Sequence, residues 1–221
     1  SSPDCHQAAV GIPGASCRYP RMRNVFFAIS TCLAVLGACS PAGGQQAGGA
    51  SPDCFKRSTD MVGGPFELVA ADGRTMTQKD FAGRKALVFF GYTYCPDICP
   101  ITLYNVGKAM QDVPVDKQPA TIFVSVDPAR DTPETIAQYI RSNGFPEDIT
   151  GLTGSETQLT AVSDAFKTSF GRGDPSDSAG GYLVSHSSIL YLMDENWQLK
   201  TFFTHQDTPD TIAACLQKVM E

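Results

Sequence analysis

Two cysteines, Cys95 and Cys99, stand four positions apart inside Phe89-Phe90-Gly91-Tyr92-Thr93-Tyr94-Cys95-Pro96-Asp97-Ile98-Cys99-Pro100. The apolar run Ala86 to Phe90 before them reads as a buried strand, and Ile101 to Asp112 after them reads as a helix. The pair therefore falls where a strand ends and a helix begins. Free N–H groups and the positive dipole end of a helix favour an anion, so a thiolate there is stabilised and its pKa falls. If the helix has started by Cys95, residues four apart share one face. Their Cα atoms are then roughly 6 Å apart, inside the range a disulfide can bridge. The pair can be two thiolates, a disulfide, or two legs of a metal site.

The elements that must position this pair follow in order. Phe66 to Val69 reads as a short strand, Ala71-Asp72-Gly73-Arg74 as a turn, and Thr77 to Phe81 as one helical turn. After the cysteines, Leu103, Val106, Met110 and Val113 recur at helical spacing, and Thr121 to Val126 is a second buried strand. Strand, helix and strand make a βαβ unit with a parallel pair. In Asp127-Pro128-Ala129-Arg130-Asp131-Thr132-Pro133-Glu134, Asp131 or Thr132 can cap a helix running to about Asn143, with Pro133 in its first turn and Glu134 closing a capping box. This stretch also lies at the C-terminal edge of a strand beside the cysteine strand, so it can border a site. Ser155-Glu156-Thr157-Gln158 opens a helix to about Phe170, and Gly171 to Gly181 is a polar loop. Ser188 to Met193 and Gln198 to Phe203 make a hairpin, and a last helix from Pro209 ends near Met220. Cys215 on it sits among Ile212, Leu216 and Val219 as a buried packing residue. The order describes an α/β, thioredoxin-like domain: a central mixed sheet flanked by helices, spanning 61–221.

The chain has three histidines. His6 lies in the leader, and His205 reads as an exposed loop residue. His186, in Tyr182-Leu183-Val184-Ser185-His186-Ser187-Ser188, leaves the Gly-rich loop and enters a strand. In thioredoxin-fold oxidoreductases a cis-proline that faces the cysteine pair begins the corresponding strand. Here no proline lies between Pro175 and Pro209, and a histidine stands in that place. Two thiolates and an imidazole suit a soft or borderline metal, copper or zinc. Structural zinc normally takes four protein ligands. Three ligands fit copper in an accessible site, and an incomplete shell suits a protein that gives its metal away. Asp97, between the cysteines, can tune their charge or meet a partner.

The N-terminal part has another character. Residues 1–21 show no periodicity. From Met22, the expected start, a short basic stretch leads into the apolar run Val25 to Leu36, the length of a signal-peptide core. It ends in Leu36-Gly37-Ala38-Cys39, which resembles a bacterial lipoprotein cleavage box with Cys39 as the lipidated residue. Residues 39–60, rich in Gly, Ala, Ser, Gln and Pro, read as a flexible tether in which Cys54 has no assigned role. The domain is thus expected outside the cytoplasm, membrane-tethered on the periplasmic side of a bacterial envelope. A net charge of −6 with no basic stripe argues against a nucleic-acid partner. Eight cysteines are more than usual, but most fall before the domain, so a disulfide scaffold is a poor reading.

Taken together, Gly91 to Pro100, Val124 to Pro133 and Val184 to Ser188 resemble the Sco/SenC family of copper-binding proteins associated with cytochrome c oxidase assembly. The resemblance runs from about Val62 to the C-terminus. It implies a thioredoxin-fold domain holding one copper, Cu(I) or Cu(II), through Cys95, Cys99 and His186. It also implies a copper donor protein and, as partner, oxidase subunit II with its CuA centre, to which copper is delivered or whose cysteines are reduced. Asp127, Arg130 and Asp131 are the further candidates for a supporting or docking role. The chain departs from the family at Ser185, where many members carry Asp, and at Tyr94, where histidine is common. The competing readings are a thiol–disulfide reductase working through the same Cys95–Cys99 pair and a peroxidase using Thr93 and Arg130, whose usual Thr-x-x-Cys context is absent.

Overall fold

The computed structural model describes Cys54, residues 61–174 and residues 182–219. Residues 1–53, including Cys39 and the expected signal peptide, lie outside the described residues, as do most of the expected tether and much of the Gly-rich loop.

Strands β1 (Glu67–Ala70) and β2 (Thr75–Thr77) form a hairpin around Gly73, whose φ of +85° is a conformation that suits glycine. Thr77 caps the 3₁₀ turn Gln78–Phe81 through a reciprocal box with Asp80. Strand β3 (Ala86–Gly91) runs into helix α1 (Ile98–Met110), and β4 (Ala120–Ser125) returns parallel to β3 with Gly91 opposite Ser125. Every residue of β3 and β4 is buried, so both faces of these strands are covered. Helix α2 (Pro133–Tyr139), strand β5 (Ile149–Thr153) and helix α3 (Glu156–Ala165) follow. The short strands β6 (Phe170–Arg172) and β7 (Val184–His186) pair with each other. Strands β8 (Ile189–Met193) and β9 (Leu199–Thr204) then form the expected hairpin, and helix α4 (Pro209–Val219) closes the domain against α1. The main sheet has the order β2-β1-β5-β4-β3-β8-β9, parallel across β5, β4 and β3 and antiparallel elsewhere. The expected α/β class with a mixed sheet and flanking helices is the one found.

Alternation along β3 sends its side chains to opposite layers. Phe89 packs on Phe123, which meets Tyr139 of α2. Phe90 faces the other way, onto Phe166 and Tyr191, and Phe166 in turn meets Trp197. No helix among the described residues is long and apolar enough to cross a membrane. The core also reaches Cys54, which the sequence places in the tether: it is 3% exposed and shares the buried cluster with Cys215.

Several boundaries differ from the expected ones. Helix α1 starts at Ile98 rather than Ile101, with Asp97 at its N-cap. Helix α2 stops at Tyr139 rather than Asn143, and α3 stops at Ala165 rather than Phe170, with Lys167 at positive φ just beyond it. β2, β5 and β6 carry no strand signal of their own: β2 and β6 are three residues long, and β5 is interrupted by Gly151. That glycine has a packing cause. Ile136 of α2 occupies the space a Cβ would need.

A similar close approach fixes α1. At Gly107 a Cβ would collide with the carbonyl of Gly144, which itself sits at φ +87° beneath the Tyr104 ring. Alanine at 107 would gain about 1 kcal/mol of helix propensity. Against that stands a backbone contact that cannot rotate away, with an overpacking cost of about 1–3 kcal/mol or more. The Gly107→Ala protein is expected to unfold at a midpoint several degrees below the parent in a thermal melt.

Candidate metal centre

The chain leaves β3 at Gly91 and turns back, the Cys95 N–H donating to the Tyr92 carbonyl at 3.2 Å. Asp97 then stands at the N-cap of α1 without using its side chain there. Cys99 falls in the first helical turn, and its N–H points back at Cys95 Sγ, 3.3 Å away. Cys95 thus lies one turn ahead of the helix rather than inside it, and it is half-buried, whereas Cys99 is wholly buried. Only glycine fits at position 91: a Cβ there would come within 2.7 Å of Cys99 Sγ and 2.9 Å of the Phe123 ring.

His186 comes to the same place from β7, where it pairs with Phe170 of β6. Its Nδ1 lies 3.3 Å from the Ser187 carbonyl. A carbonyl can only accept, so Nδ1 carries the proton and the Nε2 lone pair is left free. That Nε2 is 3.4 Å from Cys99 Sγ. The ring is held edge-on by Phe89 and Tyr92, at centroid distances of 6.2 and 5.7 Å. Cys95 Sγ, Cys99 Sγ and one His186 nitrogen all lie within 4.8 Å of one another. Donors this close are near the spacing that one ion with bonds of roughly 2.0–2.3 Å requires.

The two thiols are electrostatically unequal. The Cys99 thiol and the N–H groups of Cys99 and Asp97 stabilise charge on Cys95, and against the cost of its partial burial they hold its pKa down to about 4. Cys99 is pushed strongly upward, first by its hydrogen bond to Cys95 and then by burial and the nearby Cys95 charge. At neutral pH the pair is one thiolate and one thiol.

A second layer braces the cysteine loop from the β4–α2 connection. Asp131, 1% exposed, accepts from the Thr93 N–H at 2.8 Å, the Thr93 hydroxyl at 2.6 Å and the Ser125 hydroxyl at 2.5 Å. Asp127, fully buried, accepts from Arg130 Nε and the Tyr182 hydroxyl. The Arg130 guanidinium lies 3.8 Å from the Tyr182 ring centroid and 4.8 Å from that of Tyr94. These contacts tie the loop that carries Cys95 to the segment that leads to His186.

Of the residues singled out in the sequence, Cys95, Cys99 and His186 converge, while Asp127, Arg130 and Asp131 support them without reaching the sulfurs. Asp131 does not cap α2; Thr132 does, accepting from the Thr135 N–H. Asp97 is exposed at the mouth and contributes its backbone N–H. Ser185 points away, donating to the Gly171 carbonyl. Thr93, Ser125 and Tyr182 are supporting residues that sequence reasoning did not assign to this brace. Their only signal was adjacency to the cysteine, aspartate and histidine motifs.

Residues 56–221 match the family described as SCO1/SenC. Among curated relatives, the SCO2-like protein of Rickettsia prowazekii is 37% identical over 145 residues, covering 64% of this chain and 69% of the relative. A mitochondrial SCO1 homologue of Arabidopsis thaliana is 34% identical over 155 residues, and the chain spans only 45% of that longer protein. Among solved structures, that of Bradyrhizobium japonicum ScoI with copper bound superposes with a TM-score of 0.63 at 33% identity, covering 71% of this chain and 98% of that one.

Two outcomes follow from this geometry. Iodoacetamide should modify Cys95 at a rate that stays nearly flat from pH 9 down to about 6 and halves only near pH 4, because a depressed pKa keeps the thiolate until the pH falls to it. Peptide mapping should find Cys99 spared. Asp131→Ala would leave the two Thr93 donors and the Ser125 hydroxyl without their acceptor, and urea unfolding should show a loss of about 3 kcal/mol.

Proposed function

The chain belongs to the SCO1/SenC family, and from that premise we propose that it is a copper metallochaperone. In this reading Cys95, Cys99 and His186 hold one copper ion as cargo, delivered to the CuA centre of cytochrome c oxidase subunit II. The observation that carries it is the convergence of the three donors within 4.8 Å, with the His186 lone pair turned towards the cysteines by the Ser187 carbonyl. Two thiolates and an imidazole suit copper. The copper-bound relative from Bradyrhizobium japonicum supports the same cargo. The half-buried Cys95, beside the exposed Asp97 and Tyr94, leaves one side of the site open to a recipient or a copper donor protein.

The rest of the reading concerns placement. Val25 to Leu36 followed by Leu36-Gly37-Ala38-Cys39 supports export and lipidation at Cys39. The domain from about residue 61 then works on the periplasmic side, tethered through residues 39–60.

The same pair supports a second reading, reduction of the CuA-site cysteines. Cys95 is accessible and Cys99 stands behind it as the resolving thiol. The low pKa of Cys95 weighs against that role. A thiolate so stabilised is a weak nucleophile and a good leaving group, which favours the dithiol form and makes the pair a poor reductant.

The test is copper stoichiometry and affinity of the reduced full chain against His186→Ala. One copper per chain at the site, weakened at least 100-fold in the variant, is the expected result. Unchanged binding would remove His186 and bring the reductase reading forward. Calorimetry in buffers of different ionisation enthalpy gives an independent check: Cys95 is already a thiolate at pH 7 and Cys99 is not, so Cu(I) binding should release about one proton rather than two.

A further inference from the structure

Cys54 and Cys215 take no part in the metal centre, yet they meet. They are about 160 residues apart in the chain, a separation at which contact between two sulfurs is not a consequence of chain proximity. The Cys215 side chain is nevertheless in hydrogen-bonding contact with that of Cys54. Both are buried, at 1% and 3% exposure, in the same core cluster. Cys215 by itself is accounted for as a packing residue of α4, beside buried Ile212 and Leu216. Cys54 is not. It follows Gly49-Ala50-Ser51-Pro52-Asp53, a stretch too small and polar to need a core anchor, and yet its thiol is buried against another thiol.

We propose that Cys54 and Cys215 form a structural disulfide that clips the root of the N-terminal segment to α4, a second sulfur pair independent of Cys95 and Cys99. In forming it the two thiols lose two protons and two electrons and gain one S–S bond. The electrons pass to a disulfide oxidant, which is reduced to its dithiol through a mixed-disulfide intermediate. The inference rests on the proposed location outside the cytoplasm only for that oxidant, since such compartments favour disulfides. Burial together with the Cys54 contact raises the Cys215 pKa, so the folded Cys215 thiol is a poor nucleophile. The bond therefore closes as the chain folds, and once closed it is shielded from exchange. A closed pair also removes two soft sulfurs that would compete for copper, leaving Cys95 and Cys99 as the reactive cysteines of the domain.

The test uses the full chain, purified from the cell envelope or oxidised in vitro with oxidised glutathione during refolding. After denaturation and blocking with N-ethylmaleimide, digestion and mass spectrometry should find a peptide pair joined through Cys54 and Cys215, lighter by two hydrogens than the separate peptides. The link should be absent from Cys54→Ala and Cys215→Ala chains, while Cys95 and Cys99 still titrate as a pair. The linked chain should also melt about 10 °C above the Cys54→Ala chain, as closure of a long loop predicts. Finding both residues alkylated after an oxidation that fully closes Cys95–Cys99 would overturn the pairing, as would Cys54 joined to Cys39. A link without a change in melting would overturn the clip. A link that forms in vitro but is missing from envelope-purified protein would leave the pairing intact and count against the proposed location.

Discussion

A thiolate at Cys95 is the constraint on which the rest of the site depends. It is half-buried, so its charge must be met from within the protein. The Cys99 thiol and two backbone N–H groups at the mouth of α1 meet it. Each donor requires something further away. The N–H groups are free because α1 begins at Ile98, and the Cys99 thiol reaches Cys95 only because position 91 has no side chain to push it aside. β3 delivers Gly91 to that point between β4 and β8, in the most deeply buried part of the sheet.

The β4–α2 connection keeps this arrangement from relaxing. A neutral hydrogen bond contributes only about 1 kcal/mol net, but a buried donor stripped of its acceptor costs about 1–3 kcal/mol. Asp131 holds three such donors, two of them on Thr93, two residues before Cys95. Asp127 and Arg130 extend the brace to Tyr182, at the start of the segment that carries His186. The arrangement is asymmetric: one thiolate near the surface, one thiol beneath it, and one imidazole fixed in orientation. That asymmetry suits holding a soft metal ion more than donating electrons to a partner disulfide.

Much of this was legible in the chain itself. The apolar runs of β3 and β4, the strand-to-helix position of Cys95 and Cys99 and the odd placement of His186 without a nearby proline all have local causes. They appear in the structure at the places the sequence suggested, with the three donors brought together. What stayed hidden depends on distant partners. β5 is recognisable only once Ile136 is seen to need Gly151, and β6 only as the partner of the strand that carries His186. Asp131 reads locally as a helix cap, because Thr132 offers the same service one residue later and only tertiary structure shows which of them turns inward. Cys54 looked incidental because its partner lies at the other end of the domain.

In the proposed function Cys95, Cys99 and His186 hold copper together. X-ray absorption at the copper edge, on the reduced full chain carrying one Cu(I), tests it most directly. Two sulfur neighbours and one imidazole nitrogen are expected, with the nitrogen lost in His186→Ala and one sulfur lost in Cys99→Ala. A shell of sulfurs alone, or a shell unchanged by either substitution, would contradict it.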